Sequence, residues 1–141
     1  METFYSPPIV AIDFDETIYG NGYPDLSEGH FIKDAIWGVK KIQKAGWRTI
    51  LWTCRCGKYL EHAKEILEEE GIVFDAYNSN ALTNEEFEEF NFKDSRKVGA
   101  DFYIDDKDIR GRPDWRDVVE KLLSLYNTNS NQKKLFRGDL N

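Results

Sequence analysis

Ile9-Val10-Ala11-Ile12 forms an unbroken apolar run that passes straight into Asp13-Phe14-Asp15. Such a run predicts a strand buried on both faces, as in a parallel sheet. A second strand of this kind is expected over residues 48 to 53, with Ile50-Leu51-Trp52 at its centre. Between them Ile32, Ala35, Ile36, Val39 and Ile42 recur at helical spacing as far as Ala45, and Gly46 ends the helix. The spacing of Leu60, Ala63, Ile66 and Leu67 predicts another helix over residues 58 to 70, stopped by Gly71. Ile72-Val73-Phe74 opens a third strand reaching about Tyr77, and residues 100 to 106 form a fourth. Thr83-Asn84-Glu85-Glu86 has the pattern of a capped helix start, with Phe87 and Phe90 on its apolar side. A last helix is expected over residues 115 to 126.

Pro7-Pro8 holds the entry to the first strand extended. Gly20, Gly22, Pro24 and Gly29 mark residues 16 to 30 as a loop with room for a small hairpin. The tail from Asn127 is polar, and only Leu135 and Phe136 offer it a place to dock.

Alternating strands and helices predict an α/β fold: a doubly wound three-layer sandwich with a mostly parallel central sheet and right-handed crossovers. The expected organisation is one domain over residues 1–126, with a short flap at about 18–31 and a tail over 127–141. In such sheets ligands bind outside the carboxyl ends of the strands, where strand order reverses. That rule gathers Asp13 and Asp15 from the first strand, Thr53 from the second, and Asp105 and Asp106 from the fourth. Lys97 lies on the loop just before the fourth strand.

Strand alternation sends Asp13 and Asp15 out on the same face. Two carboxylates so placed repel, which raises one pKa, and a bound divalent cation removes the penalty. The competing reading is a solvated pair of acids leaving a strand through a turn.

Length and composition set outer limits. A chain of 141 residues, 40% hydrophobic and 14% aromatic, suits one packed domain. A formal net charge of -7 argues against broad, sequence-independent grip on nucleic acid. Lys93, Arg96, Lys97, Arg110, Arg112 and Arg116 leave room for a local basic frame. No apolar run has the length of a membrane span and the first residues lack a signal pattern, so a cytoplasmic protein is expected. Cys54 and Cys56 are one residue apart, too close for an unstrained disulfide and matching no common zinc pattern. They are expected to be reduced, and structural or incidental.

The ordered motifs resemble those of the haloacid dehalogenase-like superfamily of phosphohydrolases. The first is Asp13-Phe14-Asp15-Glu16-Thr17, the second Ile50-Leu51-Trp52-Thr53 with Cys54-Arg55, the third Lys97, and the fourth Phe102-Tyr103-Ile104-Asp105-Asp106. The resemblance spans roughly residues 8 to 126. It implies a phosphatase that uses Mg²⁺ and forms an aspartyl-phosphate on Asp13, with Asp15 as general acid and base. It gives the metal to Asp13, Asp15 (through its backbone carbonyl), Asp105 and Asp106. It gives the substrate phosphate to Thr53, Cys54, Arg55 and Lys97, with Lys93 as the other candidate lysine.

Each assignment has a plainer rival. Thr53 fits a helix cap, Arg55 a surface ion pair, and Asp106 a turn cap. Asp101 and Asp108 fit structural or solvated positions, and Trp47, Trp52 and Trp115 fit packing.

Members of the superfamily often carry a large cap domain, for which the chain has no room. An uncapped site admits large substrates such as phosphorylated protein or nucleic-acid ends; alternatively, a second copy of the chain serves as lid in a homo-oligomer. The expected substrate is a phosphorylated small molecule or a nucleic-acid end, the latter making the protein a polynucleotide 3′-phosphatase. A receiver-type signalling domain shares the acidic pair, Thr and Lys, but needs an Asp after its third strand, where Asp75 sits within the expected strand.

Overall fold

The computed structural model describes residues 6–89 and 96–128. The elements are β1 (Ile9–Ile12), β2 (Tyr19–Gly20), β3 (His30–Phe31), α1 (Ala35–Lys44) and β4 (Arg48–Leu51), then α2 (Gly57–Glu69), β5 (Ala76–Tyr77), α3 (Asn84–Glu89), β6 (Phe102–Ile104) and α4 (Trp115–Leu125). The central sheet has the order β5-β4-β1-β6, and every pairing in it is parallel. From β1 the chain steps through β4 to β5 on one side, then crosses back so that β6 pairs with the other side of β1. Strand order therefore reverses between β1 and β6, and the carboxyl edge at such a reversal is where sheets of this kind bind ligands. Helices flank the sheet, as the α/β reading expects.

Period-two alternation divides β1 between two cores. Val10 and Ile12 face a large cluster with Val39 and Ile42 of α1, Leu67 of α2, and Val119 and Leu122 of α4. Ile9 and Ala11 face a thinner cluster with Ile50 and Val98, against which Ala81, Leu82 and Ala100 pack. Burying each large aliphatic side chain contributes about 1.5–3 kcal/mol, so this central strand anchors the domain. Helices α1 and α4 approach closely at Gly38, where a Cβ would lie 2.6 Å from Trp115 Cε3.

Residues 16 to 30 do contain a small hairpin, with β2 and β3 antiparallel. Tyr19 fastens it to the domain: its ring stacks on Phe14, meets Phe31 edge-on, and its hydroxyl donates to the Leu26 carbonyl at 2.6 Å. The helix expected from Thr83 begins with a reciprocal cap. Thr83 Oγ1 accepts from the Glu86 N–H at 3.1 Å, and Glu86 Oε1 accepts from the Thr83 N–H at 3.0 Å. Arg48 binds the same carboxylate oxygen at 2.7 Å and holds the Glu86 pKa down to about 2. Phe90, Lys93 and the tail with Leu135 and Phe136 lie outside the described residues, and the side chain of Phe87 is not described.

The third strand is shorter than its sequence suggests. Ile72 and Phe74 are buried, yet only Ala76 and Tyr77 join the ladder. Asp75 is not inside the strand; its Oδ2 accepts from the Thr49 N–H at 2.8 Å, taking the place of a ladder partner. Asp101 acts similarly at the other side, accepting from the Ile9 N–H at 2.8 Å, so it is structural. Trp47 and Trp115 are packing residues, both almost fully buried.

Candidate functional site

The site begins where β1 and β6 end side by side. Ile12 lies opposite Ile104, and the Asp13 N–H donates to the Ile104 carbonyl at 2.9 Å. The next residue of each strand is an aspartate, and Asp106 follows. One carboxylate oxygen from each of Asp13, Asp105 and Asp106 lies within 4.8 Å of the other two, all three residues being half-buried. Burial and the neighbouring Asp105 and Asp106 raise the Asp13 pKa to about 7, against a partly opposing hydrogen bond from the Phe14 backbone. A converging set of carboxylate oxygens under mutual repulsion suits a hard divalent cation, so this donor set fits Mg²⁺.

Thr17 joins the two strand ends. It is fully buried, and its Oγ1 accepts from the Asp106 N–H at 2.9 Å. The same hydroxyl lies 3.2 Å from Asp13 Oδ2 and 3.4 Å from Asp106 Oδ1, and its single proton serves one of them at a time. Thr17 is itself held in place by Trp115, whose indole N–H donates to the Thr17 carbonyl at 2.9 Å.

Asp15 lies apart from the three converging carboxylates, gripped by Arg55. Arg55 Nε and one terminal nitrogen each donate to an Asp15 oxygen at 2.8 Å. The guanidinium also donates to the Gly22 carbonyl at 3.0 Å and the Tyr59 carbonyl at 3.3 Å. Its planar carbon sits 5.1 Å from the ring centroids of both Phe14 and Tyr23. Arg55 is 2% exposed, so it is a buried clamp and no surface ion pair.

Thr53 follows β4 in a loop shaped by Asn78. The Asn78 Oδ1 accepts from the Thr53 N–H at 2.8 Å, and its Nδ2 donates to the Arg55 carbonyl at 3.1 Å. Thr53 does not cap α2. Its Oγ1 accepts from the Arg55 N–H at 3.1 Å, whereas Cys56 is the residue preceding the helix. Cys54 and Cys56 are free thiols at exposed positions. Lys97 Nζ sits 5.1 Å from the ring centroid of Tyr103, two residues ahead of Asp105. Tyr103 pairs with Ala11 across the sheet, so this ring stands on the Ile9–Ala11 face. Asp108 is solvated and caps its own turn, accepting from the Arg110 N–H at 2.9 Å.

A search of solved structures finds a likeness over most of the chain. A conserved protein of Bacteroides thetaiotaomicron is 34% identical, with a TM-score of 0.71, over 84% of this chain and 92% of that one. The chain belongs to the same family as that protein. No family model and no curated protein matches the chain. The family relation carries the α/β fold described above, and the chemistry rests on the site itself.

Three residues at the site make contacts that a motif-by-motif reading does not give. Thr17 is the last residue of the first motif, and its burial beside Asp13 and Asp106 gives it work of its own. Asn78 follows a strand and adopts φ +54°, a left-handed conformation that Asn tolerates better than most residues. Arg55 gives no signal along the chain that it will be buried, because its acceptors come from residues 15, 22 and 59.

Proposed function

We propose that the protein is a Mg²⁺-dependent phosphatase that hydrolyses a phosphate monoester through an aspartyl-phosphate on Asp13. The observation behind this reading is the convergence of Asp13, Asp105 and Asp106 at the carboxyl edge where strand order reverses. The motif resemblance to haloacid dehalogenase-like phosphohydrolases, carried in part by the same acids, supports it as well. Bound by the three carboxylates, Mg²⁺ would offset the repulsion between an anionic phosphate and an attacking carboxylate.

In this reaction an Asp13 oxygen forms a bond to phosphorus as the ester P–O bond breaks, and Asp15 gives its proton to the departing oxygen. A water then attacks phosphorus, Asp15 takes the water's proton, and the P–O bond to Asp13 breaks to release inorganic phosphate. The Arg55 fork occupies one lone pair on each Asp15 oxygen and leaves another on each for this proton. The Thr53 hydroxyl, the Cys54 N–H and Lys97 supply donors to the phosphate oxygens where charge accumulates, whereas the Arg55 guanidinium is committed to Asp15 and the Gly22 and Tyr59 carbonyls.

Two observations weigh against the other readings. Arg110, Arg112 and Arg116 pair with Asp108, Glu16 and Asp34, which reduces the positive frame a nucleic-acid end would need. Asp75, the residue a receiver domain would phosphorylate, is bonded to the start of β4, away from the carboxyl edge. No helix among the described residues is long and apolar enough to cross a membrane. A cytoplasmic setting suits the free thiols of Cys54 and Cys56.

The deciding experiment is hydrolysis of a chromogenic phosphate monoester with Mg²⁺ and with chelator, for the wild type and Asp13→Asn. Metal-dependent turnover that Asp13→Asn abolishes is expected. Equal turnover in the variant would remove Asp13 as nucleophile.

A further inference from the structure

The flap presents a ring beside the proton-transfer residue. Tyr23 is 66% exposed although it lies at a well-bonded part of the chain. One of its faces covers the Arg55 guanidinium, with the charged carbon 5.1 Å from the ring centroid. That guanidinium grips Asp15, and it also donates to the carbonyls of Gly22, next to Tyr23, and of Tyr59. Tyr23 is thus held at a fixed position one side chain away from Asp15.

Tyr59, itself 36% exposed, stands beside it with a centroid separation of 6.2 Å and a tilt of 46°. The tilt keeps the two rings from covering one another. Tyr59 also lines a cavity of about 390 Å³ between the flap and α2, with Pro24, Leu26, His62 and Ile66. The charged side chains of Asp25, Lys58 and Glu65 complete its lining, and its volume lies within the range of small-molecule sites.

Asp15 protonates the leaving oxygen in the reaction proposed above, so the body of the leaving group must lie next to Asp15. We infer that the substrate's leaving group carries a planar aromatic ring, as in a nucleoside or aryl phosphate, which stacks on Tyr23 beside Tyr59. The inference rests on the phosphatase reading for its placement of the leaving group. A stacked ring covers apolar surface that the fold leaves open, and Arg55 on the other face fixes the platform before the ring arrives.

The test compares adenosine 5′-monophosphate with ribose 5-phosphate. Both release phosphate from the same kind of primary alcohol, and only the first carries an aromatic ring. In the wild type kcat/KM should be at least ~10-fold higher for the nucleotide, the scale of one stacked base. Tyr23→Ala should bring the ratio of the two substrates close to one, and Tyr23→Phe should keep it. A wild-type ratio near one, or a ratio that Tyr23→Ala leaves intact, would overturn the inference while leaving a phosphatase. A second arm titrates adenosine and ribose into Asp13→Asn by NMR. Tyr23-dependent binding of adenosine alone, with no ester hydrolysed by the wild type, would retain the ring site and remove the phosphatase reading. Absence of adenosine binding together with no nucleotide preference removes the ring site.

Discussion

Arg55 holds both oxygens of Asp15 at 2.8 Å while its guanidinium lies between the rings of Phe14 and Tyr23. One buried cation thereby ties the first motif, the loop after β4 and the flap into a single unit. Removing one partner of a buried ion pair costs more than the pair contributes, because the other partner keeps its desolvation penalty.

Arg55→Ala should therefore destabilise the protein by about 3 kcal/mol, at the lower end of the range for buried pairs because Asp15 is 27% exposed. Arg55→Lys restores the charge without the planar fork and should recover only part of that loss. Urea unfolding at unchanged slope measures both. A loss under about 1 kcal/mol for Arg55→Ala would reduce the clamp to an ordinary surface pair.

Thr17 makes a different prediction, because its hydroxyl orients the donors of the acidic cluster. Thr17→Val keeps the shape and removes the acceptor for the Asp106 N–H, as well as the donor near Asp13. Groups that orient metal ligands typically govern about 10- to 100-fold in affinity, so Mg²⁺ binding should weaken on that scale. Thr17→Ser should stay near the wild type. Calorimetric titration with Mg²⁺ reads the difference, and equal affinities for Val and wild type would leave Thr17 a purely structural residue.

The raised Asp13 pKa gives stability a definite pH dependence. The group moves from 3.8 to about 7 on folding, so between these values the native state holds a proton that the unfolded chain has released. This term therefore stabilises the metal-free protein at low pH within the window and is lost as pH rises towards 7. Glu86 acts lower down, where its shift from 4.5 to about 2 removes stability as pH falls. With chelator, the melting temperature should drop between pH 5 and pH 8. Asp13→Asn should flatten that drop, and Mg²⁺ should offset it by taking the proton's place. A drop of the same size in Asp13→Asn would assign it to other groups.

Much of this architecture is legible because it depends on local pattern. β1 and β4 are apolar runs, α1 and α2 have clean helical spacing, and Thr83 with Glu86 forms the reciprocal cap that their spacing predicts. The acids of the site are legible for a related reason: Asp13 directly follows the fully buried β1, and Asp105 directly follows β6, whose last residue Ile104 is buried. What local pattern does not show is decided by distant partners. Ile72 and Phe74 look like strand residues, but β5 is an edge strand with one neighbour, and the Asp75 side chain takes up the Thr49 N–H. Arg55 looks like a solvated residue until the flap and Asp15 close around it.

Asn78 shows how one such residue supports the site from outside it. It follows β5, its backbone N–H donates to the Leu51 carbonyl at 2.9 Å, and its side chain spans the Thr53 N–H and the Arg55 carbonyl. Asn78→Ala loses both side-chain bonds, at about 1 kcal/mol each, and adds about 1–2 kcal/mol for a Cβ at φ +54° without Asn's tolerance. Asn78→Gly loses the same bonds but adopts the conformation freely, so it should be the more stable of the two variants. Asn78→Asp keeps the acceptor for Thr53 and loses the donor to Arg55. If the loop after β4 orients donors towards the phosphate, turnover should fall further in Asn78→Gly than in Asn78→Asp, since only the latter retains the bond that fixes Thr53. Unfolding midpoints and phosphate release on the three variants separate the two effects. Equal stability of Ala and Gly would discount the backbone contribution, and equal turnover of Gly and Asp would take Thr53 out of the reaction.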